Sequence, residues 1–325
     1  MKKWTVGVIG ASDIAFKRFL PALKKSGKFI FAGIAARDPA RCAPYIAQFG
    51  GKNYQDYLAL IRSPEIDCVY VPLPPGLHAC WGEKVLLAGK HLLMEKPFTT
   101  SLSDTNRLLE LAEKQGVAVH ENYMFQFHRQ VQAITELIVT GRLGKVRMVR
   151  AAFTFPFRGA NDFRYQKELG GGALLDCGGY PLALASHLLG PTAQVEWANL
   201  MEPSEYGIET GGSAVLKNEN GVTAHLFFGM DDSYRCELEV WGNKASLYAA
   251  RVFTAPPDFP VVLQIKGNDI DQNIQVGTDN QFLNSLGYFG KQIETPELRE
   301  DWRRRISKQS ELVEQIRLHS ARKRK

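Results

Sequence analysis

Long apolar runs are missing from this 325-residue chain: no segment reaches the roughly 18 consecutive apolar residues that a membrane helix needs. A strong charge bias is missing as well. The formal net charge is +6, from 40 Lys and Arg against 34 Asp and Glu, which suits anionic small molecules but is too mild and scattered to mark a nucleic-acid binder. The five cysteines, Cys42, Cys68, Cys80, Cys177 and Cys236, form no C-x-x-C pair, which argues for reduced thiols in a cytoplasmic protein and against a zinc or iron–sulfur site. No two histidines share a metal-ligand spacing, so no metal is expected. Internal repeats and low-complexity segments are absent. The opening, Met1 to Gly10, has too short an apolar stretch for a signal peptide and no small-residue cleavage site after it. The basic run Ala321-Arg322-Lys323-Arg324-Lys325 reads as the solvated end of a helix, where it favours the dipole.

What is present is ordinary globular material, 45% hydrophobic and 23% charged, in a length that suits two domains. Residues 1–120 alternate short apolar strands (Trp4–Ile9, Phe29–Ala35, Cys68–Val71, His91–Met94, Val117–His120) with helical stretches (Ile14–Lys25, Pro39–Phe49, Tyr54–Ile61, Ala79–Ala88, Ser103–Gln115). That alternation predicts a doubly wound parallel sheet of the α/β class. Residues 121–325 change character. A helix at Val131–Thr140 leads to segments rich in β-formers at Val146–Phe157, Gln194–Met201, Ser213–Lys217, Val222–Met230, Arg235–Trp241 and Ser246–Ala250, with an Asn220-Gly221 turn. An apolar helix at Leu174–Leu189 and a charged one at Glu297–Arg324 complete an α+β domain with a mainly antiparallel sheet.

The first strand runs into Gly10-Ala11-Ser12-Asp13-Ile14, where the strand ends in a glycine turn and the next helix aims its free N–H groups at a pyrophosphate. Ser12 stands where a dinucleotide fingerprint has its second glycine; its hydroxyl can donate to a phosphate. At the end of the second strand, where an NAD site carries an acid for the ribose, this chain has Arg37, which favours the 2′-phosphate of NADP(H) over NAD(H). Asp38 and Pro39 read instead as the cap and first residue of the following helix.

Two further segments carry chemistry: Met94-Glu95-Lys96-Pro97-Phe98 after a strand, and Gly170-Gly171-Gly172-Ala173-Leu174-Leu175-Asp176-Cys177-Gly178-Gly179-Tyr180-Pro181 at the start of a helix. Together with Val6-Gly7-Val8-Ile9-Gly10 and Val71-Pro72-Leu73-Pro74-Pro75-Gly76-Leu77-His78, they resemble the glucose–fructose oxidoreductase/inositol dehydrogenase/rhizopine catabolism family over nearly the whole chain. The resemblance implies a Rossmann domain followed by a domain whose large sheet often forms a homodimer or homotetramer interface. It places Lys96 at the substrate oxygen and pairs Asp176 with Tyr180. It lays Pro72, Leu73, Pro74 and His78 along the cofactor, with Glu95 and Asn122 as further cofactor contacts. It brings Arg164, from Asn161-Asp162-Phe163-Arg164, near nicotinamide and substrate. His78, Gln126 and Asp176 are candidate substrate contacts. Gln126 and Arg129 stand where relatives often carry Arg and Pro, and Tyr180 where many carry His; the tyrosine points to sugar ketoreductases and dihydrodiol or xylose dehydrogenases. The twin-arginine export signal of some relatives is not seen, which favours an intracellular enzyme.

The chemistry can be stated without the family. Hydride transfer to a ketone builds negative charge on its oxygen, so a cation and a proton donor are needed; Lys96 and Tyr180 supply them. Partial burial would lower the lysine's pKa, and an adjacent ammonium the phenol's. The expectation is an NADP(H)-dependent keto-sugar reductase, with a nucleotide-linked sugar among its candidate substrates. An aldose or trans-dihydrodiol dehydrogenase, and an NADP-sensing regulator without catalysis, are the other readings; intact Lys96, Asp176 and Tyr180 weigh against the regulator.

Overall fold

A computed structural model describes residues 3–203 and 205–322. Met1-Lys2 of the opening and residues 323–325 of the basic run lie outside the described residues. The chain divides into two compact units, one of Met1–Asn122 with Phe282–Ser310, the other of Tyr123–Gln281 with Glu311–Lys325.

The first unit holds a six-stranded sheet of β1 (Trp4–Ile9), β2 (Phe29–Ala35), β3 (Lys52–Asn53), β4 (Cys68–Val71), β5 (His91–Met94) and β6 (Val119–Glu121), in the order β3-β2-β1-β4-β5-β6. Every ladder is parallel. The four residues of β4 are each 0% exposed, as strands covered on both faces must be. Parallel strands end on one edge of their sheet, and the order reverses beside β1, where β4 lies on one side and β2 on the other. That is the crevice where doubly wound sheets bind ligands.

Three expected helices are interrupted, each in front of a proline. Ile14–Lys25 becomes a π-helical turn, Ala15–Phe19, then α1 (Leu20–Lys25) with Pro21 in its first turn. Pro39–Phe49 becomes a 3-10 turn, Pro39–Cys42, then α2 (Ala43–Phe49) with Pro44. Proline lacks an N–H and crowds the carbonyl four residues back, so the hydrogen-bond ladder changes pitch there. The sheet's remaining helices are α3 (Tyr57–Arg62), α4 (His78–Leu87) and α5 (Leu102–Lys114). The two-residue strand β3 was not expected.

In the second unit, α6 (Arg129–Val139) leads into β7 (Val146–Thr154). The expected helix Leu174–Leu189 is a π-helical turn, Leu174–Gly178, followed by α7 (Gly179–Leu189) with Pro181, the same proline effect again. The remaining strands are β8 (Gln194–Met201), β9 (Gly211–Lys217), β10 (Thr223–Gly229), β11 (Arg235–Gly242), β12 (Ala245–Ala250), β13 (Val261–Gly267) and β14 (Ile270–Gly277). They make an eight-stranded sheet, β14-β13-β12-β11-β7-β10-β9-β8, antiparallel except between β7 and β10. Alternation fixes its faces: Cys236, Leu238 and Val240 of β11 point into the core, at 4% exposure or less. The hairpin β13–β14 was not foreseen; the polar Asp271-Gln272-Asn273 of β14 conceals its strand period.

Two helices close the chain, α8 (Gln281–Glu294) and α9 (Glu297–Arg322), and Phe282–Ser310 belongs to the first unit. Within that unit Phe289 stacks on Phe29 at 5.9 Å, Glu294 pairs with Lys28 at 2.5 Å, and Trp302 lies flat over His120 at 4.9 Å.

Candidate active site

At the end of β1, Gly10 turns with φ 109°, and a Cβ there would come within 2.6 Å of Leu73 Cδ2. Conformation and space both demand glycine. The Ser12 hydroxyl accepts from Ala15 N at 3.3 Å, capping the helical turn while its own proton can still be donated. Asp13 is exposed and pairs with Lys17 at 2.7 Å; Ala11 and Ile14 are half-buried beside it. Two residues the sequence reading missed hold the turn from outside. Arg41 donates to the Ala11 carbonyl at 2.7 Å, and the Tyr45 hydroxyl donates to the Ser12 carbonyl at 2.8 Å. Arg37 is exposed just past β2, and Asp38 caps the next turn by accepting from Ala40 N at 3.0 Å, ahead of Pro39.

Lys96 leaves the end of β5 half-buried, and the Lys96–Pro97 peptide bond is cis. Polar groups surround this loop. Glu95 Oε1 accepts from the Tyr70 hydroxyl and from Asn122 Nδ2, both at 2.6 Å. Asn122 Oδ1 accepts from Ser285 Oγ at 2.9 Å, Ser285 meets His120 Nε2 at 2.9 Å, and His120 Nδ1 lies 2.9 Å from Gln292 Oε1. Burial raises the Glu95 carboxyl above its ordinary range, against the Tyr70 and Asn122 hydrogen bonds. On the other side, Glu121 Oε1 accepts from Phe98 N at 2.7 Å, and burial pushes its carboxyl up to about 8. His78 completes the grip: its ring nitrogens lie 2.7 Å from the Pro97 and Leu73 carbonyl oxygens.

This geometry bears on three expectations. Asn122 is 2% exposed and turned inward, with its amide nitrogen on Glu95 and its oxygen on Ser285. Glu95 uses Oε1 on Tyr70 and Asn122, while its Oε2 accepts from Lys96 N at 3.4 Å. His78 is 0% exposed with both nitrogens on backbone oxygens, so the expected side-chain contact with substrate or cofactor is not made. Of the three, His78 is the one whose contacts are both to the backbone of the loops it joins. Tyr70 was missed; a tyrosine one residue from the end of a fully buried strand is a polar group in search of a partner, and that was the available signal.

In the second unit Tyr180, 7% exposed, is boxed by the rings of Tyr123, Phe125, Phe153 and Phe253, with centroids 5.2, 5.8, 5.0 and 5.9 Å away. The box holds the phenol in place with apolar edges. A Cβ on Gly179 would overlap the Tyr123 hydroxyl, so this glycine lets that ring approach, while one on Gly178 would meet the Phe228 ring at 3.0 Å. Asp176 and Arg164, expected as separate ligand contacts, bind each other: Arg164 Nε donates to Asp176 Oδ2 at 2.7 Å while its Nη1 donates to Asp162 at 3.0 Å. The Gly171-Gly172 backbone wraps the Arg164 carbonyl, which accepts from Gly172 N at 2.9 Å. Gln126 is half-buried in the 3-10 turn Met124–Phe127. Among the described residues no group of His, Cys, Asp and Glu is placed to hold a metal, and no helix is long and apolar enough to cross a membrane.

Residues 4–123 match an oxidoreductase family with an NAD-binding Rossmann fold, and residues 131–248 match the GFO/IDH/MocA C-terminal domain. The chain is 37% identical over 312 residues to a dTDP-3,4-didehydro-2,6-dideoxy-alpha-D-glucose 3-reductase of Actinomadura kijaniata, covering 96% of this chain and 94% of that one. It is 33% identical to D-xylose 1-dehydrogenase (NADP(+)) 2 of Haloferax volcanii, over 77% of each chain. A crystal structure of a 3-ketoreductase from Actinomadura kijaniata, in complex with NADP and TDP-benzene, superposes with a TM-score of 0.95 at 36% identity and 98% coverage of both chains. Variants of that ketoreductase were also crystallised with one tyrosine or one lysine replaced, and those two positions are as far apart in its sequence as Lys96 and Tyr180 are here.

Proposed function

The chain belongs to the GFO/IDH/MocA oxidoreductase family, and on that premise we propose that it is an NADP(H)-dependent ketoreductase of a nucleotide-linked keto sugar. The observation that carries the proposal is the placing of Lys96. It leaves β5 on the same sheet edge at which β1 ends in the Gly10 turn and β2 in Arg37. The residues present fit a phosphorylated dinucleotide: the Gly10 turn leaves no room for a side chain, the Ser12 hydroxyl can donate, and Arg37 and Arg41 follow β2 as exposed cations.

On this reading Gly10, Ala11, Ser12, Asp13 and Ile14 hold the pyrophosphate, Arg37 the 2′-phosphate, and the backbone of Pro72, Leu73 and Pro74 lies along the cofactor. Bound there, the nicotinamide supplies the hydride. The Lys96 ammonium holds the substrate carbonyl oxygen as negative charge grows on it, and the Tyr180 hydroxyl delivers the proton that makes it an alcohol. Arg164, kept in place by Asp162 and Asp176, orients the sugar, as does Gln126. We place the enzyme in the cytoplasm, as a homodimer or homotetramer joined through the larger sheet. Trp197, Phe227 and Trp241, 37–44% exposed on its strands, suit a second copy.

The test is NADPH oxidation with dTDP-3,4-didehydro-2,6-dideoxy-alpha-D-glucose and with nucleotide-free keto sugars, for the wild type and Lys96→Ala. Turnover of the nucleotide-linked sugar that Lys96→Ala lowers by about 100-fold or more is expected. Tight NADPH binding with no turnover of any sugar leaves only a regulator.

A further inference from the structure

His78 touches both the loop after β4 and the loop after β5. It is 0% exposed, with Nδ1 at 2.7 Å from the Pro97 carbonyl oxygen and Nε2 at 2.7 Å from that of Leu73. Each end of this bridge leads somewhere. Pro97 follows Lys96 directly, and the next amide, Phe98 N, is held at 2.7 Å by Glu121. Leu73 packs against the Gly10 turn so closely that a Cβ there would lie 2.6 Å from its Cδ2.

Carbonyl oxygens only accept, and a neutral imidazole has a single N–H. Burial outweighs the pull of the Pro97 and Leu73 carbonyls toward a charged ring and, with the nearby Lys96 charge, holds the pKa down at about 4, so near neutrality one proton serves two acceptors. The two tautomers are therefore two grips, one on the lysine loop and one on the loop against the glycine turn.

We propose that His78 is a positioning residue whose ring proton, shared between the Pro97 and Leu73 carbonyls, sets the loop of Lys96 against the loop that lies along the dinucleotide. The assignment rests on the reading of Lys96 as the cation at the substrate oxygen. It adds that the aim of Lys96 and the closeness of the cofactor loop are set in alternation by one ring proton.

Two substitutions take the grips apart. In His78→Asn the side-chain amide nitrogen falls where Nδ1 lies and can donate only towards Pro97; in His78→Gln it falls where Nε2 lies and can donate only towards Leu73. With the nucleotide-linked sugar above, His78→Gln should lose about tenfold in kcat and leave the Kd for NADPH, read from tryptophan quenching, within about twofold of wild type. His78→Asn should do the reverse, raising the Kd for NADPH about tenfold with kcat within about twofold. Thermal unfolding of both variants separates these effects from a general loss of folding. The proposal is overturned if the two variants shift kcat and Kd together, or if neither moves either quantity. Lys96→Ala, measured alongside, tests the underlying reading on its own: if it turns over like wild type, the role given to Lys96 is wrong, whatever the His78 variants do.

Discussion

Replacing Glu121 by Gln should change how stability depends on pH. The carboxyl is 5% exposed, its Oε1 accepts from Phe98 N at 2.7 Å, and burial outweighs that bond and the Lys96 charge to push it from 4.5 up to about 8. Below about pH 4.5 the folded and unfolded chains both keep the proton. Between there and about pH 8 the unfolded chain has lost it and the folded chain has not, so stability falls as pH rises through that window and levels off above it. At about 1.4 kcal/mol per pH unit the whole window holds about 5 kcal/mol, a ceiling for a group that can relax toward water. Glutamine cannot ionise but keeps a carbonyl oxygen for Phe98 N, so its stability lacks this slope. His78 and His120, held down at about 4 by burial, work in the opposite sense, adding stability as pH rises from about 4 to 6.5. They are common to both proteins and largely cancel in the difference. Calorimetric unfolding of the two proteins at pH 5, 6, 7 and 8 reads the effect. The Tm of Glu121→Gln relative to wild type should climb steadily over that range, by about 1–2 °C for each kcal/mol in a chain of 325 residues. Parallel Tm curves would show that Glu121 is ionised in the folded chain and that the burial argument is wrong.

Tyr180→Phe keeps the aromatic box and removes the proton donor, so kcat should fall about 100-fold with the Kd for NADPH unchanged; an unaltered kcat assigns the proton to another group. Arg37→Ala should weaken NADPH binding about tenfold, as loss of one charge-assisted phosphate contact does, and leave NADH binding as it was; equal losses for both cofactors would remove Arg37 from the 2′-phosphate site. Gly179→Ala places a Cβ on the Tyr123 hydroxyl and should cost about 1–3 kcal/mol in thermal unfolding. The double variant with Tyr123→Phe should recover part of that loss, because Cζ still lies 2.9 Å from the new Cβ; if it recovers nothing, the clash lies elsewhere.

How far the sequence reveals this molecule depends on how local each determinant is. The strands Trp4–Ile9, Phe29–Ala35, Cys68–Val71 and His91–Met94 stand where the apolar runs put them, because burial on both faces leaves an unbroken local signal. The helices begin and end less faithfully; Pro21, Pro44 and Pro181 each mark a change of helical pitch that a hydrophobic period of 3.6 does not register. The return of Phe282–Ser310 to the first unit is invisible locally, since Phe289 finds Phe29 only in three dimensions. The same division runs through the site. The residues proposed for the chemistry, Gly10, Lys96 and Tyr180, sit in short motifs and are named from their neighbours in the chain. What holds them does not lie in motifs. Asn122 reads as a ligand contact from its place after β6, yet its two amide atoms are taken by Glu95, 27 residues before it, and by Ser285, 163 residues after it. A buried amide must satisfy both atoms, so it is turned inward wherever the fold offers partners, and only the fold shows whether it does. His78 carries this furthest. Its position in the cofactor loop suggested contact with ligand, and it is the carbonyls of Pro97 and Leu73 at its two nitrogens that turn it into a brace. A polar residue near a catalytic motif is therefore as apt to aim the backbone as to touch the substrate, and the count of its buried partners decides which.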